Sequence, residues 1–158
     1  MEPNPLLFRP FQPGDETAFR ELNESWISTY FVIEEKDREV LDDPVGHILD
    51  SGGRIFMATK GDGAIGCCAL LAMEDGSFEV AKMTVSEAYR GNGVGRKLLE
   101  FVIERAKAMG ARRLYLETNS KLTNAIHVYE ALGFRHLPAE RIHPSPYARA
   151  NVYMELML

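Results

Sequence analysis

A glycine-rich turn between a strand-like and a helix-like segment constrains the fold of this chain more than any other feature. Residues 78–85 form a mostly apolar run, residues 89–96 read YRGNGVGR, and residues 94–109 carry apolar side chains at helical spacing. Glycine lets backbone N–H groups turn toward an anion, and a helix N-terminus carries positive potential, so the turn suits a phosphate group. A tight turn without a ligand is the alternative interpretation.

Apolar periodicity and turn residues predict seven strands and four helices in the order β-α-α-β-β-β-α-β-α-β-β. The strands are expected at residues 6–9, 54–59, 64–73, 78–85, 113–117, 134–137 and 152–158. The helices are expected at residues 34–41, 94–109 and 122–132, and after a cap at Asp15, where the apolar stripe includes Phe19 and Trp26. A hairpin meander joined to a β-α-β unit predicts an α+β fold in three layers, with a mixed, mostly antiparallel sheet of about 6–7 strands and about 4 helices on its two faces. The length of 158 residues predicts one domain over residues 6–158, preceded by a tail of residues 1–5.

The charges of the chain are unevenly distributed around a net charge of −5. Residues 90–113 hold seven basic and two acidic side chains, whereas residues 15–43 hold ten acidic and three basic ones. A basic segment around a phosphate-binding turn suits a polyanionic cofactor, while the acidic half argues against a nucleic-acid partner and favours a cationic one. Solvated helix faces are the alternative interpretation of each individual charge.

Cys67 and Cys68 are neighbours in a predicted strand, where consecutive side chains point to opposite faces, so the pair is not expected to form a disulfide. Free thiols, together with an N-terminus that lacks a signal-peptide pattern, predict a cytoplasmic protein. No apolar stretch approaches the ~18 residues that cross a bilayer, so no membrane partner is expected. The four histidines have no metal-ligand spacing, and no metal is expected.

Three motifs resemble the GNAT superfamily of N-acetyltransferases. The turn matches that family's acyl-CoA loop, Gln/Arg-x-x-Gly-x-Gly/Ala, at Arg90, Gly93 and Gly95. The strand at residues 79–85 and the pattern from Ala125 through Tyr129 to Gly133-Phe134 are also similar, and so is the order of elements. A weaker likeness, in residues 116–119, 147–149 and 154–156, is to the acetyltransferase half of MarR-fused members. The resemblance implies a GNAT-like fold, acetyl-CoA as co-substrate, and an amine of a small molecule or peptide as acceptor. Dimers are frequent among proteins that resemble this chain, which leaves a homodimer open.

The resemblance also implies which residues hold acetyl-CoA. The backbone of the turn is expected to bind the pyrophosphate, and the backbone of the preceding strand is expected to hydrogen-bond the pantetheine arm and the thioester oxygen. In this fold that strand splays from the next one, often through a bulge. The family's cofactor-contacting asparagine is replaced by Leu122, so a neighbouring asparagine either takes over the contact or caps a helix. The predicted cofactor-binding residues are Met83, Thr84, Val85, Arg90, Gly91, Asn92, Gly93, Val94, Gly95, Arg96, Asn119, Asn124 and Tyr129.

Glu79 is the predicted general base that deprotonates the amine. It interrupts an apolar strand, and strict alternation places it on one face with Ala81, Met83 and Val85. A partly buried carboxylate has a raised pKa and accepts protons near neutrality. Glu117, at the end of the next strand, is the second candidate. The alternatives are that Glu79 begins the strand and faces solvent, or that the amine arrives already neutral.

Tyr129 matches the family's tyrosine that protonates or hydrogen-bonds the leaving thiolate. Its alternative role is packing on the core face of a helix. The acceptor is expected between the acidic helices and residues 138–149, with Trp26, Tyr30, Glu34 and Glu117 as substrate contacts. A core tryptophan and solvated glutamates are the other interpretation of these side chains.

The resemblance and these residues together predict an acyl-CoA-dependent N-acetyltransferase. No cysteine lies in the turn or in the β-α-β unit, which favours direct transfer in a ternary complex over an acetyl-enzyme. A non-catalytic acyl-CoA sensor or interaction module on the same fold is the alternative function.

Overall fold

The structure, a computed structural model, describes residues 4–158. The strands in this range are β1 (Leu6–Pro10), β2 (Arg54–Lys60), β3 (Gly63–Ala72), β4 (Phe78–Val85), β5 (Arg113–Thr118), β6 (Arg135–His136) and β7 (Val152–Met157). They form one sheet in the order β1-β2-β3-β4-β5-β7-β6. Among these strands of residues 4–158 only the β4–β5 pair is parallel, which confirms the predicted mixed, mostly antiparallel sheet. Residues 1–3 of the predicted tail lie outside the described residues.

Four α-helices lie on the two faces of the sheet in the described part of the chain. They are α1 (Glu16–Tyr30), α2 (Glu35–Asp42), α3 (Val94–Ala108) and α4 (Thr123–Ala131). A π-helical turn, Val45–Leu49, follows α2, and short 3-10 turns lie at Glu87–Tyr89 and Ala139–Arg141. The predicted helices are confirmed, and α1 extends about one turn beyond Trp26, the last apolar residue named for its stripe, to Tyr30.

Two hydrophobic cores form because β2 and β3 present alternate side chains to the two faces. Phe56 and Cys68 pack with α3 in one core, whereas Met57 and Cys67 pack with α1 and α2 in the other. Helices α3 and α4 cover the first core, which we call the α3 side, and α1 and α2 cover the second, the α1 side. The two thiols are buried and free on opposite faces, as their spacing predicts.

A β-bulge in β4 interrupts the alternation. Val80 lies opposite Leu70 and Ala81 opposite Ala69, but Thr84 lies opposite Cys67, so β4 carries one extra residue between these pairs. After Ala81, each side chain of β4 therefore points to the face of the sheet opposite to the one that strict alternation predicts. Val80, Met83 and Val85 therefore pack together on the α3 side. The prediction that Glu79 shares a face with Met83 and Val85 is wrong, because strict alternation does not survive the bulge; Glu79 does share the α1 side with Ala81.

The strands β4 and β5 separate beyond the bulge. Their pairing is limited to residues 78–80 against 114–116, although β4 continues to Val85 and β5 to Thr118. The expected splay between these strands is therefore present, and it opens a gap in the middle of the sheet. Trp26 and Tyr30, in the last turns of α1, line this gap from one side.

Candidate active site

Two cavities meet at the gap between β4 and β5. The first, about 580 Å³, is lined by the glycine-rich turn, the second half of β4 and the face of α4; we call it the loop cavity. The second, about 410 Å³, is lined by Glu79, Glu117, α2 and the loop before β7; we call it the carboxylate cavity. Trp26, Lys82 and Glu117 line both cavities, so the two adjoin at the gap, and we refer to them together as the groove.

The glycine-rich turn forms the end of the loop cavity at the N-terminus of α3. Gly91 and Gly93 have φ angles of 82° and 77°, in the left-handed region that favours glycine. Gly93 is the N-cap of α3, and no side chain in the described part of the chain caps the helix, so the first-turn N–H groups are available to an anion. Among the predicted residues of the turn itself, Asn92 does not line this cavity, whereas six others do: Arg90, Gly91, Gly93, Val94, Gly95 and Arg96.

Arg90 is held in place by the backbone of β4. Its Nε donates to the carbonyl of Val85 (2.9 Å), and its guanidinium approaches the Tyr30 hydroxyl at 3.5 Å. Arg96 projects from the first turn of α3 and pairs loosely with Glu100 (3.4 Å). The turn thus combines helix N–H groups with two cationic side chains, which suits a polyanion.

The side of the loop cavity is built by β4 and α4. Met83, Thr84 and Val85 line it from the strand, and Asn124 and Tyr129 line it from the helix. The Tyr129 ring packs on Phe134 with centroids 5.8 Å apart, and no described residue hydrogen-bonds its hydroxyl. Burial, with a smaller effect of the Cys68 thiol, raises the pKa of Tyr129, so the hydroxyl stays protonated and acts as a donor.

Glu79 and Glu117 face the carboxylate cavity from adjacent strands. Burial and the neighbouring Glu117 raise the pKa of Glu79 to about 7, although the Lys82 ammonium opposes the shift. Among the described residues Glu79 has no hydrogen-bond partner, whereas Glu117 accepts from the hydroxyls of Tyr115 (2.8 Å) and Ser145 (2.6 Å). The Glu79 side chain is half-buried and lines the carboxylate cavity, so it does not point into bulk solvent. With a pKa near neutrality, its carboxylate can accept a proton there.

The wall of the carboxylate cavity contains a buried ionic cluster. Asp37 of α2 is fully buried and accepts from Lys82 Nζ (2.7 Å) and, in a bidentate pair, from Arg149 (2.6 and 2.7 Å). Burial alone favours the protonated acid, but Arg149 and Lys82 outweigh it and bring the pKa of Asp37 to about 2. Lys82 also donates to the Tyr147 hydroxyl (3.1 Å).

Periodicity and family motifs do not predict this cluster. A lysine in the middle of a buried strand and an aspartate on the apolar face of α2, beside Val40 and Leu41, were the available signals. Because unpaired buried charges are costly, two such residues of opposite sign indicate a pair.

The structure does not bring all predicted residues into the groove. Glu34 lies outside both cavities, where its carboxylate accepts from the Ala148 N–H (3.1 Å) and approaches Arg149 at 3.4 Å. Asn119 lines the carboxylate cavity and not the loop cavity, and its amide bridges the Arg149 carbonyl (2.6 Å) and the Lys121 N–H (2.8 Å). Both residues anchor the loop before β7.

Residues 4–158 contain no group of three or more His, Cys, Asp and Glu side chains placed to bind a metal ion. Within the same range, every helix is too short or too polar to cross a membrane.

The chain is similar in sequence and in fold to known acetyltransferases. The acetyltransferase (GNAT) family model matches residues 6–134. The chain is 29% identical to the uncharacterized N-acetyltransferase YjgM of Escherichia coli (strain K12) over 142 residues, which cover 85% of each chain. It is 30% identical to the streptothricin acetyltransferase of Streptomyces lavendulae over 151 residues, which cover 80% of each chain. Its fold matches the yncA acetyltransferase structure of Salmonella typhimurium with its cofactor acetyl-CoA, at a TM-score of 0.75 and 18% identity, over 97% of this chain and 94% of that one.

Proposed function

Because the chain belongs to the acetyltransferase (GNAT) family, we propose that it moves the acetyl group of acetyl-CoA to a primary amine by direct transfer in a ternary complex. The observation that carries this proposal is that the loop cavity and the carboxylate cavity adjoin at the gap between β4 and β5. Tyr129 lines the loop cavity and Glu79 the carboxylate cavity, so a hydrogen-bond donor and a proton acceptor lie on the two sides of their junction.

The loop cavity is proposed to hold acetyl-CoA. Its volume of about 580 Å³ lies in the range of small-molecule sites. The uncapped N-terminus of α3, with Arg90 and Arg96, supplies N–H groups and positive charge for the pyrophosphate. The backbone of Met83, Thr84 and Val85 lies along the same cavity, where it would bind the pantetheine arm.

The carboxylate cavity is proposed to hold the acceptor. Trp26 and Glu117, the latter on β5, line both cavities, whereas Tyr30 lines only the loop cavity. In the transfer step the amine nitrogen attacks the thioester carbonyl carbon, the C–N bond forms and the C–S bond breaks. Glu79 takes the proton that the nitrogen loses, and Tyr129 donates a hydrogen bond to the departing sulfur.

The chemistry of the cysteines supports a direct route. Burial raises the pKa of the Cys67 thiol to about 12 and that of the Cys68 thiol further still. Because the thiolate is the nucleophile, neither side chain is suited to carry an acetyl group. Detection of an acetylated cysteine in a single turnover would contradict the direct route.

The test is the release of free CoA from acetyl-CoA across a panel of amines of different charge and size, with amine-free hydrolysis as background. Amine-dependent release supports the proposal and ranks the acceptor classes. Tight binding of acetyl-CoA by calorimetry without release for any amine in the panel would instead favour the sensor.

Gly93→Ala is expected to weaken acetyl-CoA binding by about tenfold, because alanine resists the left-handed conformation that aims the N–H groups by about 1–2 kcal/mol. Gly76→Ala is the matched control. Gly76 also has a positive φ (83°), and at both positions an added Cβ meets no atom within 4 Å. Gly76 lies in the turn between β3 and β4, so its variant should share the loss of stability but keep the dissociation constant, as measured by calorimetry. Equal acetyl-CoA affinities of the two variants would show that the turn does not bind the cofactor.

A further inference from the structure

Lys82 occupies the bulge of β4 in a strained backbone conformation. Its φ of 52° makes it the only non-glycine residue with positive φ in residues 4–158. A lysine gains nothing locally from this conformation, which glycine adopts freely. A strained residue persists only where its surroundings hold it, and such residues cluster at functional sites.

The side chain of Lys82 supplies that restraint. It is 5% exposed, and its ammonium donates to Asp37 at 2.7 Å and to the Tyr147 hydroxyl at 3.1 Å. Its carbonyl accepts from the Cys67 thiol at 3.4 Å. A buried ammonium is costly unless it is paired, so releasing the bulge would also break an ion pair that water does not replace.

Asp37 is itself fixed from two other elements. Its carboxylate accepts two hydrogen bonds from the guanidinium of Arg149, which lies in the loop before β7. It also accepts a hydrogen bond from the N–H of Glu34 (2.9 Å), the residue that precedes α2. The side chain of Asp37 is fully buried, and that of Arg149 is 14% exposed. Asp37 therefore anchors the bulge to a helix and to a loop that both wall the carboxylate cavity.

The bulge determines which cavity the side chains of each half of β4 face. Before it, Glu79 faces the carboxylate cavity; after it, Met83 and Val85 face the α3 side and line the loop cavity. A regular strand would place Met83 and Val85 on the face of Glu79. The residue at the bulge thus sets the position of Glu79, the proposed base, relative to the second half of β4, whose backbone is proposed to bind the thioester.

We propose that Lys82 is a positioning residue for the acetyl transfer: its ammonium, clamped by Asp37, holds the left-handed bulge that sets Glu79 against the cofactor-binding half of β4. This inference rests on the proposed function. It assigns Lys82 no contact with acetyl-CoA or amine, because its role passes through the backbone.

The test compares Lys82→Met with Lys82→Gly. Methionine loses the clamp and still resists positive φ, whereas glycine loses the clamp but adopts the conformation without it. Asp37 keeps Arg149 in both variants, so its carboxylate is not left unpaired. Arg9→Met is the control, since it removes the ion pair with Asp15 (2.7 Å) at the outer strand β1, away from both cavities.

Turnover is measured from about pH 6 to 9 and kcat is compared at the plateau of each profile, because loss of the Lys82 ammonium removes a group that lowers the pKa of Glu79. We expect K82M to lose about 100-fold in kcat, as misplaced reacting groups do, with little change in acetyl-CoA affinity, and K82G to recover at least about tenfold of that loss. R9M should keep the wild-type kcat. A K82M chain that fails to fold, while K82G folds and turns over, supports the same conclusion.

Hydrogen exchange of the amides of residues 81–84 provides a readout that does not depend on activity. K82M is expected to exchange faster than wild type and K82G to stay closer to it, and this comparison holds even if the wild-type chain transfers acetyl to no amine. The proposal is overturned if K82M and K82G lose kcat equally and exchange alike, if K82M matches R9M in both readouts, or if neither Lys82 variant folds.

Discussion

Replacing Glu79 by glutamine is expected to lower kcat by about 100-fold or more at pH 8, the usual contribution of a general base. Glutamine keeps the size and polarity of the side chain but accepts no proton. The carboxylate of Glu79 has no hydrogen-bond partner among the described residues, so the substitution leaves no protein donor or acceptor unpaired. The measurement is kcat and kcat/KM for the best amine of the panel.

The pH dependence follows from the raised pKa of Glu79, about 7, which burial and Glu117 cause. A base must be ionised, so wild-type kcat/KM should fall as the pH drops through about 7, and E79Q should lack this acid limb. The ratio of wild-type to variant activity should therefore shrink from pH 8 to pH 6. A wild-type profile that stays flat through this range would mean that the amine loses its proton to another group.

The same shift predicts the stability of E79Q. A carboxyl whose folded-state pKa lies above its ordinary value stabilises the fold fully below that ordinary value, and the contribution is lost as the pH rises through about 7. At pH 8 the wild-type protein holds an ionised, half-buried carboxylate, which the glutamine variant lacks. E79Q should therefore melt at the same or a higher temperature than wild type at pH 8, so that lost activity cannot be assigned to lost fold.

Glu117→Gln is the matched comparison, because Glu117 is the other carboxylate of the cavity. Both its oxygens accept from protein hydroxyls, of Tyr115 and Ser145, so it is less available to take a proton. Its replacement is expected to cost less activity than that of Glu79. A larger loss in E117Q, with the acid limb retained in E79Q, would transfer the role of base to Glu117.

Most of this fold can be predicted from the sequence, because its turns, caps and helix faces are each formed by residues that are close together in the chain. The turns that separate β2, β3 and β4 contain glycine, and the glycine of positive φ at Gly110 follows the last turn of α3. The α3 stripe of buried Val94, Leu98 and Val102 follows from period alone. The glycine-rich turn lies at the N-terminus of a helix for the same reason, since strand, turn and helix are consecutive in the chain.

The interior of the groove depends on contacts between distant residues, and periodicity carries no information about them. The bulge inserts one residue at Lys82 without a glycine to mark it, so alternation predicts the wrong partners for Glu79. The clamp joins Asp37, Lys82 and Arg149, which are 45 to 112 residues apart in the chain. Glu34, predicted at the acceptor, instead holds Ala148 and Arg149, because the loop before β7 folds back onto α2.

Replacing Tyr129 by phenylalanine is expected to lower kcat by about 100-fold while the acetyl-CoA dissociation constant stays nearly constant, as when one donor to a developing negative charge is removed. Burial raises the pKa of Tyr129 above that of free tyrosine, whereas a free thiol ionises near ~8.5. Full proton transfer from the phenol to the leaving thiolate is therefore unfavourable, and the hydroxyl acts by donating a hydrogen bond. Tyr153→Phe is the control, because Tyr153 lines neither cavity and its hydroxyl donates to the Ala150 carbonyl (3.4 Å), at the wall of the carboxylate cavity and away from the loop cavity that holds Tyr129.

The pH dependence separates the two roles. The Tyr129 hydroxyl is protonated throughout the range from about pH 6 to 9, so the deficit of Y129F should stay constant there, while the deficit of E79Q shrinks below about pH 7. A deficit of Y129F that varied with pH in parallel with E79Q would place both side chains in one proton path. A deficit no larger than that of Y153F would leave Tyr129 as a packing residue on Phe134.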